Sequence, residues 1–324
     1  MQEINKQAIL RAKELLSSGE VNRVIGWKKG DFCYDESPAT FSLENIEEMV
    51  YTDFSSPNVS KYLIAESLKE GRVLVFLKPC DTYSFNQLIK EHRIKREKVY
   101  VIAIGCNGKL DIDKIRALGV ESVLNAEISS DKVKITTLYG DNELNKKDIL
   151  LEKCLTCKTK KHAVADEFLG ESSQDETLDR FSKVAELEKM TEQERYAFWQ
   201  QELSKCIRCN ACRNVCPACS CVNCVFDNPN SNVDSKANSN EFEEKLFHII
   251  RAWHVAGRCT DCGECSRVCP QGIPLHLINR KFIKDMNEFY GEYQAGESLE
   301  DKAPLNSYKT EDREPGEFDK KGDK

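Results

Sequence analysis

The chain has 324 residues, a formal net charge of −7 and 16 cysteines. An acidic balance excludes general nucleic-acid binding, and no apolar run is long enough to span a membrane. The N-terminal MQEINKQAILRAKELL is amphipathic and lacks the apolar core of a signal peptide. The expectation is therefore a cytoplasmic protein with room for two domains and with cysteines used for metals rather than disulfides.

Ala8, Ile9, Ala12, Leu15 and Leu16 recur at helical spacing over residues 4–18, and Gly19 ends the pattern. VNRVIGW (21–27) reads as a strand, followed by a polar, turn-rich stretch to about Thr40 that holds the isolated Cys33. A helix is expected over 58–68. RVLVFLK (72–78) is an apolar run of strand length ending at Pro79, Cys80 and Asp81. A helix over 84–91 leads to a second such run, VYVIAIG (99–105), which ends at Cys106. A helix over 112–118 and weaker strand signals in SVL and KVKITTL follow.

Short apolar strands alternating with helices predict an α/β domain with a mainly parallel sheet. Cys80 and Cys106 each sit just past the end of a predicted central strand, the edge of such sheets where ligands bind. Two ordinary buried cysteines are the plainer reading. Further on, LEKCLTCKTKKHAVADEFLG (151–170) places Cys154 and Cys157 in a basic C-x-x-C loop. Lys153, Lys158, Lys160 and Lys161 would lower the thiol pKa values and offset a cluster's negative charge. Alone, the pair could be half a zinc site, a redox dithiol or neither. With Cys80 and Cys106 it supplies the four thiolates that a cubane takes.

The segments KPCD (78–81), IGCNG (104–108) and CLTCKTKKHAVADEFLG (154–170) resemble the deazaflavin (coenzyme F420) reducing hydrogenase/formate dehydrogenase β-subunit family, over roughly residues 1–170. The resemblance implies a 4Fe–4S cluster on Cys80, Cys106, Cys154 and Cys157. It also implies a nearby flavin (FAD) and a deazaflavin substrate. The chain departs from the family's flavin binders at the first helix. NKQAILRAKELL has no glycine before Gly19, and no G-x-G-x-x-G occurs anywhere.

Residues 171–205 are a charged link. ESSQDETLDRFSKVAELEKM has helical spacing, and Thr191 to Glu194 forms a capping box opening a helix that runs into Cys206. Phe198, Trp199 and Leu203 are expected to pack that helix. Then comes C-I-R-C-N-A-C-R-N-V-C-P, and after the 42 residues 217–258, C-T-D-C-G-E-C-S-R-V-C-P. This is the bacterial two-cluster ferredoxin run, in which the fourth cysteine of each half ligates the other half's cluster. Cys206, Cys209, Cys212 and Cys269 should hold one 4Fe–4S centre, and Cys259, Cys262, Cys265 and Cys216 the second. A four-cysteine zinc site would leave half of these thiols without a purpose.

EFEEKLFHIIRAWHVAG reads as a helix with Phe242, Leu246, Ile249 and Trp253 on its packing face. Another follows with Leu275, Ile278, Phe282 and Met286. Residues 192–290 resemble the α-helical ferredoxin domain of succinate dehydrogenase iron–sulfur subunits and heterodisulfide reductase C subunits. His248, His254 and His276 read as packing or surface residues rather than ligands. The insert C-P-A-C-S-C-V-N-C adds Cys219, Cys221 and Cys224, which with Cys33 would make a further set of four. Zinc, or ligands shared with a partner chain, would also explain them.

The layout expected is thus an α/β domain with a third cluster at 1–175, an α-helical ferredoxin-like domain with two 4Fe–4S clusters at 176–290, and a polar tail at 291–324 that is disordered or laid on a partner. No catalytic triad, P-loop, nickel-site or molybdenum-site motif accompanies the cysteines. The function expected is electron relay in a multi-subunit oxidoreductase, between a flavoprotein or ferredoxin-type partner and a hydrogenase, formate dehydrogenase or similar reductase subunit. The alternative is a flavoenzyme subunit that binds FAD and works on a deazaflavin or nicotinamide carrier.

Overall fold

The computed structural model describes residues 1–172, 179–228 and 241–307. The first helix, α1 (Gln2–Ser17), lays Ala8, Ala12 and Leu15 on a sheet. That sheet begins with β1 (Arg23–Lys29), β2 (Glu36–Phe41) and β3 (Met49–Val50). The one-turn α2 (Leu63–Glu66), β4 (Val73–Leu77), α3 (Pro79–Lys90) and β5 (Val99–Ile104) follow. Next come α4 (Ile112–Ala117), β6 (Val123–Ser129), β7 (Lys132–Thr137) and β8 (Gly140–Asn145). The short α5 (Lys146–Ile149) and α6 (Glu152–Leu155) lead to β9 (Glu167–Leu169).

The main sheet has the order β2-β1-β4-β5-β9, with β3 also paired to β1. Its centre is parallel: Val24 faces Leu74, Val75 faces Val101, and Ala103 faces Phe168. All of β4 is buried, as expected for a strand covered on both faces. The sheet is nevertheless mixed, because β2 and β3 run antiparallel to β1. The stretch read as turns therefore contains a strand, ESPATF. It carries Pro38 and little apolar pattern because it lies at the sheet edge, where a missing N–H is tolerated.

A second, antiparallel sheet, β6-β7-β8, stands apart from the first. β8 (GDNELN) has no apolar alternation and is held by its register with β7, Lys132 to Thr137 against Asn145 to Gly140. The helix expected over 58–68 shrinks to a 3-10 turn, Ser60–Tyr62, and α2. There Asn58 Oδ1 accepts from the Ser60 N–H at 2.9 Å, a side-chain bond that competes with the helix. In the other direction, α3 starts early, with Pro79 in its first turn.

The rest is helical: α7 (Ser182–Lys189), α8 (Glu192–Ser204), α9 (Ala211–Val215), α10 (Glu241–His254), α11 (Glu264–Arg267) and α12 (Leu275–Tyr290). Part of the helical pattern expected before α7 lies outside the described residues. The capping box forms: the Thr191 N–H donates to Glu194 Oε2 at 2.9 Å, and Thr191 Oγ1 accepts from the Glu194 N–H at 3.3 Å. Leu203 and Trp199 pack with Phe247 of α10, and Phe198 packs with Val184 and Leu187 of α7.

The face of α10 is not the one its apolar residues suggest. Ile249 is 52% exposed and Trp253 66% exposed, while Glu244, His248 and Arg251 are buried beside Phe247, Ala252 and Val255. The Phe242 side chain lies outside the described residues. A helix buries such polar groups only against partners that need them, and here the neighbours are thiols.

The tail is also more ordered than its composition suggests. Residues 291–307 lie along the body of the protein, with Ala295 and Ala303 buried. Tyr293 Oη donates to the Gly257 carbonyl at 3.2 Å, and Arg180 donates to Gln294 Oε1 at 2.6 Å. Gly296 has φ +78, and a Cβ there would come within 1.9 Å of the Tyr83 carbonyl oxygen. The segment cannot fold alone, but it uses core already made by the rest of the chain. Residues 308–324 lie outside the described residues. Among the described residues no helix is long and apolar enough to cross a membrane.

Candidate functional site

The two halves of the ferredoxin run use one backbone device. Arg208 and Asn210 have φ of 53 and 60, and at the equivalent positions Asp261 and Gly263 have φ of 55 and 69. Left-handed residues at these points wrap the chain round a centre and turn N–H groups inward. The Arg208 N–H accordingly donates to Cys206 Sγ at 3.4 Å. Cys206, Cys212 and Cys269 gather on the core made by Leu203 and Phe247. Cys216 packs with Cys259 and Val255, and Cys259, Cys262 and Cys265 all lie within its electrostatic reach. Cys209 is exposed at the outer edge.

Burial pushes the thiols up, to about 12 at Cys206, Cys262 and Cys265 and about 11 at Cys212. A hydrogen bond with Cys219 and burial push Cys216 up as well. These thiols are protonated until something positive takes their protons' place. Arg251 of α10 is 1% exposed, and its guanidinium nitrogens have no hydrogen-bond partner among the described residues. It faces Cys265, Cys212, Cys216 and Cys219. A buried, unpaired cation between two sets of thiols fits clusters whose thiolates carry negative charge. His248, one turn earlier, has Nε2 3.2 Å from Cys206 Sγ. Burial, then Arg251 and Arg208, lower its pKa to about 3, so the imidazole is neutral and can donate to the thiolate. On the other side, Asn279 Nδ2 approaches Cys265 Sγ at 3.7 Å.

A further set is gathered from four places in the α/β half. β4 and β5 are neighbours, so Cys80 in the first turn of α3 and Cys106 after β5 come to the same sheet edge. Cys154 of α6 and Cys157 complete the lining of one cavity with them. Lys78, Lys109, Lys153, Lys158 and Lys160 surround the same cavity. The Lys109 N–H donates to Cys154 Sγ at 3.3 Å. Lys160 faces all four thiols, whose charge holds its pKa up although burial opposes it. Four thiols within five ammonium groups suit a cubane and its thiolates.

The loop lysines lower the thiol pKa values less than expected. Burial dominates and raises Cys80 and Cys154; only at Cys106 do Lys109 and Lys160 overcome it and bring the pKa down. Lys161 is exposed and takes no part in lining the cavity. Lys78 and Lys109, by contrast, are wholly buried members that sequence reasoning missed. Lys78 pairs with Asp81 at 2.8 Å and Lys109 donates to the Thr52 carbonyl at 2.5 Å. Only the K of KPCD, two residues before a cysteine, gave a signal.

Cys262 and Asp261 of the ferredoxin run line this same cavity. The joint is polar and buried. Glu264 takes Lys153 and Arg267 as ion-pair partners, the latter at 2.8 Å, and accepts from the Asn58 N–H at 3.2 Å. Burial alone would raise its pKa, but Arg267 and Lys153 hold it well below the usual carboxylate range. Arg280 of α12 donates to Asp261 at 2.7 Å and to Thr156 Oγ1 at 2.8 Å. Lys158 donates to the Thr260 carbonyl.

The remaining cysteines separate. Cys219, Cys221 and Cys224 line a second cavity, between the two halves. Cys33 is not among them: its Sγ contacts the Val123 carbonyl at 3.4 Å, against Phe54 in the α/β half. The expected set of four is therefore not assembled. His276 is bonded through Nδ1 to Ser266 Oγ at 2.8 Å, and His254 lines the second cavity.

Residues 202–273 match the 4Fe–4S dicluster domain family. The F420-dependent formate dehydrogenase subunit beta of Methanocaldococcus jannaschii is 26% identical, over 84% of this chain and 87% of its own length. The F420-dependent formate dehydrogenase 1 subunit beta of Methanococcus maripaludis is 28% identical, over 90% of each. This chain is similar to formate dehydrogenase β subunits along most of its length. The resemblance carried by KPCD, IGCNG and the C-x-x-C segment is thus borne out, and it extends beyond residue 170. The solved F420-reducing NiFe hydrogenase complex from Methanosarcina barkeri aligns over 46% of this chain and 58% of its own, at 18% identity and a TM-score of 0.38. That likeness is too slight to bear on the fold.

Proposed function

We propose that this chain is the iron–sulfur electron-transfer subunit of a multi-subunit oxidoreductase, with three 4Fe–4S centres in series. Cys206, Cys209, Cys212 and Cys269 would hold the outermost. Cys216, Cys259, Cys262 and Cys265 would hold the middle one. Cys80, Cys106, Cys154 and Cys157 would hold the third. Such clusters supply reversible one-electron steps. The observation carrying the series is that Cys262 lines the cavity of the Cys80 set, so one loop touches two centres. The protein's part is to exclude water from the thiols, to hold Arg251 and the lysines as counter-charge, and to fix the spacing through the Glu264 joint. Partners would be a formate dehydrogenase- or hydrogenase-type catalytic subunit and a flavin- or ferredoxin-type carrier, the formate dehydrogenase partner being in keeping with the relatives' names.

Iron and acid-labile sulfide, measured on the anaerobically purified chain, test this. Four irons per cubane require at least about 12 per chain. A value near 8, unchanged by Cys154→Ala, removes the third centre and confines redox chemistry to residues 192–290. Flavin absorbance in the pure chain would instead favour an FAD-bearing subunit acting on a deazaflavin or nicotinamide carrier.

A further inference from the structure

Four cysteines remain after those twelve are assigned: Cys33, which lies in the α/β half, and Cys219, Cys221 and Cys224. The last three line one cavity of about 560 Å³ between the two halves of the chain. Cations from three separate elements look onto these sulfurs. Lys61, from the 3-10 turn before α2, faces Cys219 and Cys221. Arg213 of α9 faces Cys224, and Arg258, after α10, faces Cys221 and Cys219. Arg213 and Arg258 are partly offset by Asp227 at 3.0 Å and Glu91 at 2.6 Å. Lys61 bonds only the Arg213 carbonyl, at 3.1 Å, and has no carboxylate partner among the described residues. The unpaired Arg251 guanidinium lines the same cavity. Glu66 also lines it, but is engaged by Arg23 at 2.8 Å and Lys69 at 2.5 Å.

This is the pattern seen around Cys80, Cys106, Cys154 and Cys157: thiols converging on an open volume, ringed by cations drawn from distant parts of the chain. Lys61 has no carboxylate partner among the described residues and Arg213 and Arg258 are only partly offset, so the lining is net positive and suits an anionic occupant. Among the described residues no three cysteine, histidine or carboxylate side chains meet closely enough to share one metal ion, and the cavity is far larger than an ion requires. We propose that Cys219, Cys221 and Cys224 ligate an additional iron–sulfur cluster through three protein thiolates. The cavity has no fourth cysteine, since Cys33 lies elsewhere. Cys219 lies beside Cys216, so the added centre adjoins the middle one. It would be a side branch from the series that ends at a solvent-accessible cavity, beside the exposed Cys221.

The test compares iron, sulfide and zinc per chain in the anaerobically purified full-length protein and in three variants. The triple variant C219A/C221A/C224A should lose about 4 irons with matching sulfide, from about 16 in the parent, and Cys33→Ala should lose none. An unchanged iron content in the triple variant overturns the proposal, and so does loss of one zinc in place of iron. Should the triple variant not fold, Cys221→Ala, at an exposed position, must still alter the cluster spectrum, and a spectrum and iron content unchanged from the parent overturn the proposal. A vacant Cys80 set would lower the parent and the triple variant equally, so failure of the three-centre series would leave the difference between them intact.

Discussion

The thiols of the ferredoxin run and those around Cys80 meet at Cys262 but are assembled in opposite ways. The run closes two short loops with matched left-handed residues, Arg208 and Asn210 in one and Asp261 and Gly263 in the other. Its counter-charge is mainly one arginine, Arg251, which faces thiols of both sets, with Lys61 near Cys216 and Lys153 near Cys262. The Cys80 set comes from four chain positions that only a parallel β4–β5 pair and the α6 loop bring together, and it has five lysines. A local motif needs little charge from elsewhere because the loops' own N–H groups face the sulfurs. A set made by the tertiary fold relies on ammonium groups for the same purpose.

The largest test of this contrast is Cys154→Ala. It should remove about 4 irons and leave the ferredoxin signals in electron paramagnetic resonance untouched; parallel loss of all signals would show that the two groups do not form separately. Next is the joint between them. Glu264→Gln leaves Lys153 and Arg267 without their carboxylate, and breaking a buried pair in this way costs roughly 3–5 kcal/mol. Denaturant unfolding should report it, and a cost below about 1 kcal/mol would mean that the joint is wet. Gly263→Ala is smaller. Its φ of +69 costs a side chain about 1–2 kcal/mol, and its Cβ would come within 2.5 Å of Lys153 Cβ. The magnetic coupling between the middle and third centres should change with it. Smallest is His248→Phe. A hydrogen bond to a charged thiolate is worth about 1.5 kcal/mol, so the potential of the Cys206 centre should fall by about 60 mV. An equal fall at the Cys259 centre would implicate Arg251 rather than His248.

The readable parts of the chain were those where chemistry is written in spacing. The C-x-x-C-x-x-C-x-x-x-C-P halves, the capping box at Thr191 and the apolar strands β4 and β5 stand in the structure where their patterns put them. Parts that depend on partners were not readable. β2 and β8 are polar segments that exist because β1 and β7 offer register. The inward face of α10 was misjudged because apolar periodicity assumes an apolar neighbour, and this helix looks onto thiols. Lys78 and Lys109 gave little sign of burial, since a lysine is normally exposed unless something nearby needs its charge.

The segment 291–307 crosses from Tyr83, in the α/β half, to Gly257, in the helical half. Together with the Glu264 joint it leaves neither half a surface of its own at which to part. The chain should therefore melt as one cooperative unit rather than as two domains in turn. A calorimetric scan of the intact protein should show a single endotherm, and cutting after Tyr290 should split or broaden it.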